Sequence, residues 1–274
     1  MKPRYLILAG TLTFLAGVLI QAPAALVYAW IAPKAQIPLG LIGITGTLTH
    51  GKAAQARYGN QVLIADVDWT LRPLNLLMAQ LRYRLHSDKV PLILDGEVSQ
   101  GFGGTGFHQM KATGDLRAMA EVAGQAFVPV NGTLDLDLIS LQLRDDWPVS
   151  ADGVAQLNGV AWTLSKEPVP LGDYQAQVRT EGDQIIAQIS TRGGSVEIGG
   201  EARLKTDRSY SYSLKLKPKA DAPPMIVNLM KQLGTPDAQG SYTLNREGKV
   251  AEPVKELSIE EIDEQLSFGA PSPK

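Results

Sequence analysis

The chain has 274 residues, a net charge of −2, 44% hydrophobic residues and no cysteine. Its length suits one large domain or two small ones. The near-neutral charge argues against an electrostatic grip on nucleic acid, and the lack of cysteine excludes thiol catalysis, thiolate metal sites and disulfides.

In chain order, the first element is an uncharged run. Lys2 and Arg4 precede residues 5–33, which carry no charge and exceed the roughly 20 apolar residues of a membrane span. Basic residues stay on the cytoplasmic side. The pattern therefore predicts a cytoplasmic N-terminus over residues 1–4, a transmembrane signal-anchor helix over residues 5–33 and an exported domain over residues 34–250. Tyr28 and Trp30 fall where an aromatic belt meets the outer interface, and Pro23 marks either a kink or the point where the helix proper loosens. Ala22-Pro23-Ala24 also spells a small-x-small cleavage site, so a cleaved signal peptide is the rival. The run continues past the roughly 7–15 residues of a signal core. Both readings export everything after Lys34.

Residues 46–53 read GTLTHGKA. Gly46, Gly51 and Lys52 have the spacing of a phosphate-binding loop, but Ala53 stands where a Ser or Thr hydroxyl should reach Mg²⁺. Downstream, Gly59 and Asn60 leave little room for the helix whose N-terminus would hold phosphates, so a strand and turn are expected. Gly101, Gly103 and Gly106 match a dinucleotide fingerprint, yet the following FHQMKATGD reads as a strand. A glycine-rich turn between two strands is predicted instead.

Beyond residue 38 the dominant signal is alternation with period two, the mark of strands with one wet face. Leu134, Leu136 and Leu138 alternate with Asp135 and Asp137, and Tyr210, Tyr212, Leu214 and Leu216 alternate with Ser and Lys. After Leu138 the apolar phase slips by one, which predicts a bulge at Ile139-Ser140. Gly193-Gly194 and Gly199-Gly200 bracket a short strand, and Gly182-Asp183 reads as a hairpin turn. Asp145-Asp146-Trp147-Pro148 reads as a turn with an aromatic anchor. Short helices are expected at 73–80, opening on Pro73, at 115–125, capped by Asp115, and at 224–233, ending at Gly234. Ser258 to Glu261 spells a capping box. Glu260, Glu261, Asp263 and Glu264 fit a solvated helical surface, and the tail from Phe268 is expected to be disordered.

No catalytic constellation emerges. His50, His86 and His108 are scattered singly, with no second histidine at helical spacing. The pairs Asp66/Asp68 and Asp135/Asp137 suit a solvated strand face without further assumption. No serine sits in a G-x-S-x-G elbow. The residues therefore nominate no catalytic, cofactor-binding or metal-binding side chain, and no cofactor.

The landmarks taken in order resemble the type II secretion system protein N family. They are the N-terminal run, GITGTLTHGKAAQARYG, DVDWTLRPLNLL, RDDWP, LGDYQAQV, GGSVEIGGEARL and LMKQLGTPDAQGSYTLNREGKV. The resemblance ends near Val250 and leaves residues 251–274 as a partly disordered tail. It implies a non-enzymatic, single-pass inner-membrane component, with the bulk of the chain in the periplasm. Its partners would be other inner-membrane components of the machinery that exports folded proteins across the outer membrane. It carries no catalytic residues over. The family is similar in turn to AsmA and TamB proteins, so the alternative is a periplasmic groove that binds or conducts phospholipid, an analogy of fold. The expected fold is mainly β: a twisted or curved antiparallel sheet with a few short helices after the N-terminal helix.

Overall fold

In the computed structural model, alternation broken by short turns becomes one antiparallel meander. The structure describes Gly17 and residues 21–35, 39–59, 61–122, 128–164 and 167–251. The strands are β1 (Leu39–Gly46), β2 (His50–Tyr58), β3 (Gln61–Leu71), β4 (Leu81–Ser87), β5 (Leu92–Gly101), β6 (Gly104–Asp115), β7 (Val130–Arg144), β8 (Trp147–Trp162), β9 (Val169–Glu181), β10 (Gln184–Gly194), β11 (Val196–Lys205), β12 (Ser209–Pro218) and β13 (Tyr242–Lys249). Each pairs with the next in sequence, and β1 does not meet β13. Among the described residues the sheet is therefore open.

The meander gives the sheet two ends. Turns at 47–49, 72–80, 102–103, 145–146, 182–183 and 206–208 lie at one, here called the upper end. The lower end carries the remaining connections, including α2 (Leu116–Val122) and α3 (Pro224–Lys231).

Register sorts the side chains. Leu94, Ala112, Leu136, Ala155, Ala176, Ile189, Gly200, Leu214 and Leu244 stand opposite one another in one row from β5 to β13. The pleat turns the adjacent row to the other face, and that row is polar. Two clusters fill the apolar face. Ala53, Ala56, Ile64, Val67, Leu94 and Met110 form the first. In the second, Ile226 and Met230 of α3 bury against Val196 and Tyr242. Between them the apolar side chains of β7 to β12 are mostly half-buried.

The phase slip after Leu138 is a bulge: pairing jumps from Leu138 to Ser140, and Ile139 is left 68% exposed. The 145–146 hairpin has Asp145 and Asp146 both at positive φ, the conformation that matches strand twist. Its aromatic anchor reaches far. Trp147 Nε1 donates to the Lys205 carbonyl at 2.9 Å, and the Arg208 guanidinium lies 5.1 Å from the Trp147 ring centre. A β7–β8 tip that touches the β11–β12 tip requires the intervening strands to curl.

The helices come close to expectation. Residues 73–80 give a 3-10 segment, Pro73–Met78, with Pro in its first turn. Asp115 caps α2, accepting from the Ala118 N–H at 2.9 Å. The proposed capping box and tail at 258–274 lie outside the described residues.

The N-terminal expectation needs revision where it can be seen. Among the described residues no helix is long and apolar enough to cross a membrane. Residues 24–33, expected at the end of one long span, belong to a separate twelve-residue helix, α1 (Ala24–Ala35), laid against β1. Pro23 lies where helical structure is broken, the second of the two readings of this residue, and bridges Thr47. The Leu41 N–H donates to Tyr28 Oη at 2.9 Å. An edge strand's free N–H groups invite foreign strands, and Tyr28 engages one of them here.

Candidate functional site

The polar face places the charged residues of β2 to β7 in one ladder. Lys52, Asp68, His86, Asp95, Lys111 and Asp137 face one another in register, strand after strand. Cross-strand neighbours of opposite charge attract, and here they pair. Lys52 Nζ lies 3.2 Å from Asp68, His86 Nδ1 lies 3.2 Å from Asp95, and Lys111 Nζ lies 3.7 Å from Asp137. Arg84 adds a second partner to Asp95 at 2.8 Å. Asp135, one row away, accepts from Thr113 Oγ1 at 2.7 Å and Asn158 Nδ2 at 2.6 Å. An open depression of about 380 Å³ runs over His86, Asp95, Lys111, Asp135 and Asp137.

This arrangement neutralises itself. Asp135 and Asp137 share a face as expected, but each carboxylate is engaged by its own neighbours. Asp68 is held by Lys52, while Asp66 sits at positive φ where strand pairing is interrupted. His50, His86 and His108 lie on different strands, and no group of three or more potential metal-ligating side chains forms among the described residues.

The segment spelled like a phosphate loop is a hairpin. Gly46 has φ +84°, and the turn is fastened by the His50 N–H on Thr47 Oγ1 at 3.2 Å. Gly51 is where Trp69 lies down: a Cβ there would meet the indole at 2.2 Å. Gly46 and Gly51 thus pair across a turn, so that the expected strand and turn are the end of β1, the 47–49 turn and the start of β2. Lys52 projects into the ladder, away from any phosphate cradle. The run spelled like a dinucleotide fingerprint is likewise the β5–β6 turn, with Gly104 at φ +100°.

One constellation was not visible in the sequence. Ser99 Oγ and His108 Nε2 are 3.0 Å apart on β5 and β6, over Gly106. Burial, and then the nearby Arg82, lowers the His108 pKa, while Glu97 opposes them. Serine beside a largely neutral histidine is half of a nucleophilic relay. The other half is missing. Glu97 is occupied by Arg72 at 3.1 Å and Arg82 at 3.5 Å, and Ser99 is buried. The pair satisfies polar groups within the sheet. Its only signal in the sequence was the small Gly106, which leaves the histidine room.

Fold and polar face together define, among the described residues, an open antiparallel β-sheet with one face of charges paired across strands. The comparisons narrow the class. Residues 38–245 match the family model described as type II secretion system (T2SS), protein N, so the chain belongs to the type II secretion system protein N family. It is similar to type II secretion system protein N of Aeromonas hydrophila, at 26% identity over 91% of this chain and all of that protein. The protein of the same description from Vibrio cholerae serotype O1 is 25% identical over 77% of this chain and 85% of its own length. No solved structure matches.

Proposed function

We propose that the protein is a non-enzymatic component of the type II secretion machinery that helps assemble or stabilise it for export of folded proteins across the outer membrane. The observation that carries this reading is the family match, which begins at β1 and ends within β13. The scaffold-like sheet supports it from the physical side.

In this reading the chain is anchored in the inner membrane, with its N-terminus cytoplasmic and the sheet periplasmic. Because α1 packs on β1, the anchor is assigned to residues 5–21, close to the lower limit of about 17 residues for a span. Other inner-membrane secretion components are the partners. The phospholipid-groove alternative ranks below this: the family match names secretion, and two clusters already occupy parts of the apolar face.

A clean deletion tests the role. Secreted substrates should accumulate in the periplasm, and the full chain supplied in trans should restore export. Export at the normal rate without the chain would contradict a necessary role. Protease added to spheroplasts should digest the sheet domain, and survival until lysis would sink the topology.

A further inference from the structure

The upper end of the sheet carries an apolar patch that neither core cluster uses. In the turn between β3 and β4, Leu74 is 78% and Met78 75% exposed, and Leu76 and Leu81 are exposed beside them. In the turn between β5 and β6, Phe102 is fully exposed. The two turns abut: a Cβ on Gly101 would lie 3.1 Å from Gln80 Cγ and 3.7 Å from the Ala79 carbonyl oxygen. Single exposed apolar residues are ordinary, but a contiguous group rimmed by polar side chains marks an interaction surface. Here the rim is Arg72, which with Arg82 holds Glu97.

The path of the chain indicates what covers this patch. Pro23 bridges Thr47, and the Leu48 N–H donates to the Ala22 carbonyl at 3.1 Å. The 47–49 turn is in turn tied to β3, because Thr49 O accepts from the Leu71 N–H at 2.7 Å and Thr47 O from Trp69 Nε1 at 3.3 Å. Leu71 is followed directly by Arg72 and the apolar turn. The uncharged run that precedes Ala22 thus joins the sheet at the same end as the patch. At the lower end, Tyr58, Val90 and Leu164 are exposed on separate turns, and α3 with the residues after it exposes Met225, Leu229 and Leu233, but the uncharged run does not join the sheet there.

We infer that the upper rim is a membrane-docking surface, with Leu74, Leu76, Met78, Leu81 and Phe102 entering the interfacial layer of the bilayer that holds residues 5–21. This rests on the anchored reading above. A second, shallow contact would fix the sheet's orientation, since one helix alone leaves the domain free to tilt. Apolar side chains that reach the headgroup–acyl boundary add binding free energy in proportion to the area they bury.

The absence of cysteine makes the test direct. Single-cysteine variants of the full chain, Phe102→Cys and Leu76→Cys, are labelled with an environment-sensitive fluorophore. Asp88→Cys at the lower end serves as the control. Each is reconstituted into phosphatidylethanolamine–phosphatidylglycerol vesicles. Labels at 102 and 76 should shift to the blue and be quenched by spin-labelled lipid, whereas the label at 88 should do neither. Flotation of the vesicles reports the anchor separately. A chain that fails to float overturns the anchored reading and this inference with it. A chain that floats with the label at 102 as wet as the label at 88 overturns the docking surface alone.

Discussion

Gly51 shows how much one missing side chain can decide. The Trp69 indole lies where a Cβ would be, so Gly51→Val forces overpacking and should cost about 1–3 kcal/mol in urea unfolding. The contrast is Gly59, at φ +56° with nothing within 4 Å of an added methyl, where Gly59→Ala costs only the left-handed backbone preference of about 1–2 kcal/mol. His108 supplies a pH test. Its folded pKa lies below 6.5 because burial and Arg82 disfavour the charged form. The unfolded chain therefore binds this proton more readily, and protonation favours unfolding. The contribution is present above about pH 6.5 and is lost as the pH falls through the window below it. From about pH 7 to pH 5 the urea midpoint of the wild type should fall more steeply than that of His108→Asn. Sequence spacing exposed the broken phosphate loop, because Ala53 and the missing helix are local facts. It did not show Ser99 beside His108, because the two are diagonal neighbours whose contact requires the two-residue 102–103 turn to set the register of β5 on β6.

At the scale of elements, the alternation read along single strands carried through to the sheet. The bulge at Ile139, the 182–183 turn and the Asp115 cap all lie where local chemistry put them. What local chemistry lacked was cross-strand order. The opposition of Lys52 to Asp68, or Lys111 to Asp137, is fixed by the one connection and any bulge between two neighbouring strands, and the full ladder by these registers taken together. The Trp147 latch is of this kind, since its partner Lys205 lies 58 residues away. Trp147→Ala removes one hydrogen bond and one cation–π contact and should cost about 1–2 kcal/mol. Hydrogen exchange should quicken at the upper ends of β8 and β11. At the lower end, Met230 is buried between α3 and the sheet. Met230→Ala should cost about 2–5 kcal/mol and loosen α3 before the first cluster responds. The N-terminal run was the element least well bounded. Its composition is continuous through Pro33, and although Pro23 marks a local irregularity, nothing local reports that α1 turns aside to cover the edge of β1.

On the scale of the whole molecule, the described residues form one long antiparallel meander. Among the described residues, thirteen strands in sequence order form an open sheet, one face carries two apolar clusters, and the other carries charges paired across strands. One edge is partly covered by α1. The other, β13, carries Arg246, Glu247 and Lys249, charges of the sort that discourage unwanted strand pairing. The chain belongs to the type II secretion system protein N family, and the proposed role within that machinery rests on contacts with its other components. The most direct measurement is cross-linking in intact cells that express the full chain, followed by purification from the membrane fraction and identification of the attached proteins. Cross-links to other inner-membrane components of the type II secretion machinery are expected, and they should be lost when those components are deleted. A chain that is present in the membrane and cross-links to none of them would contradict the scaffold role.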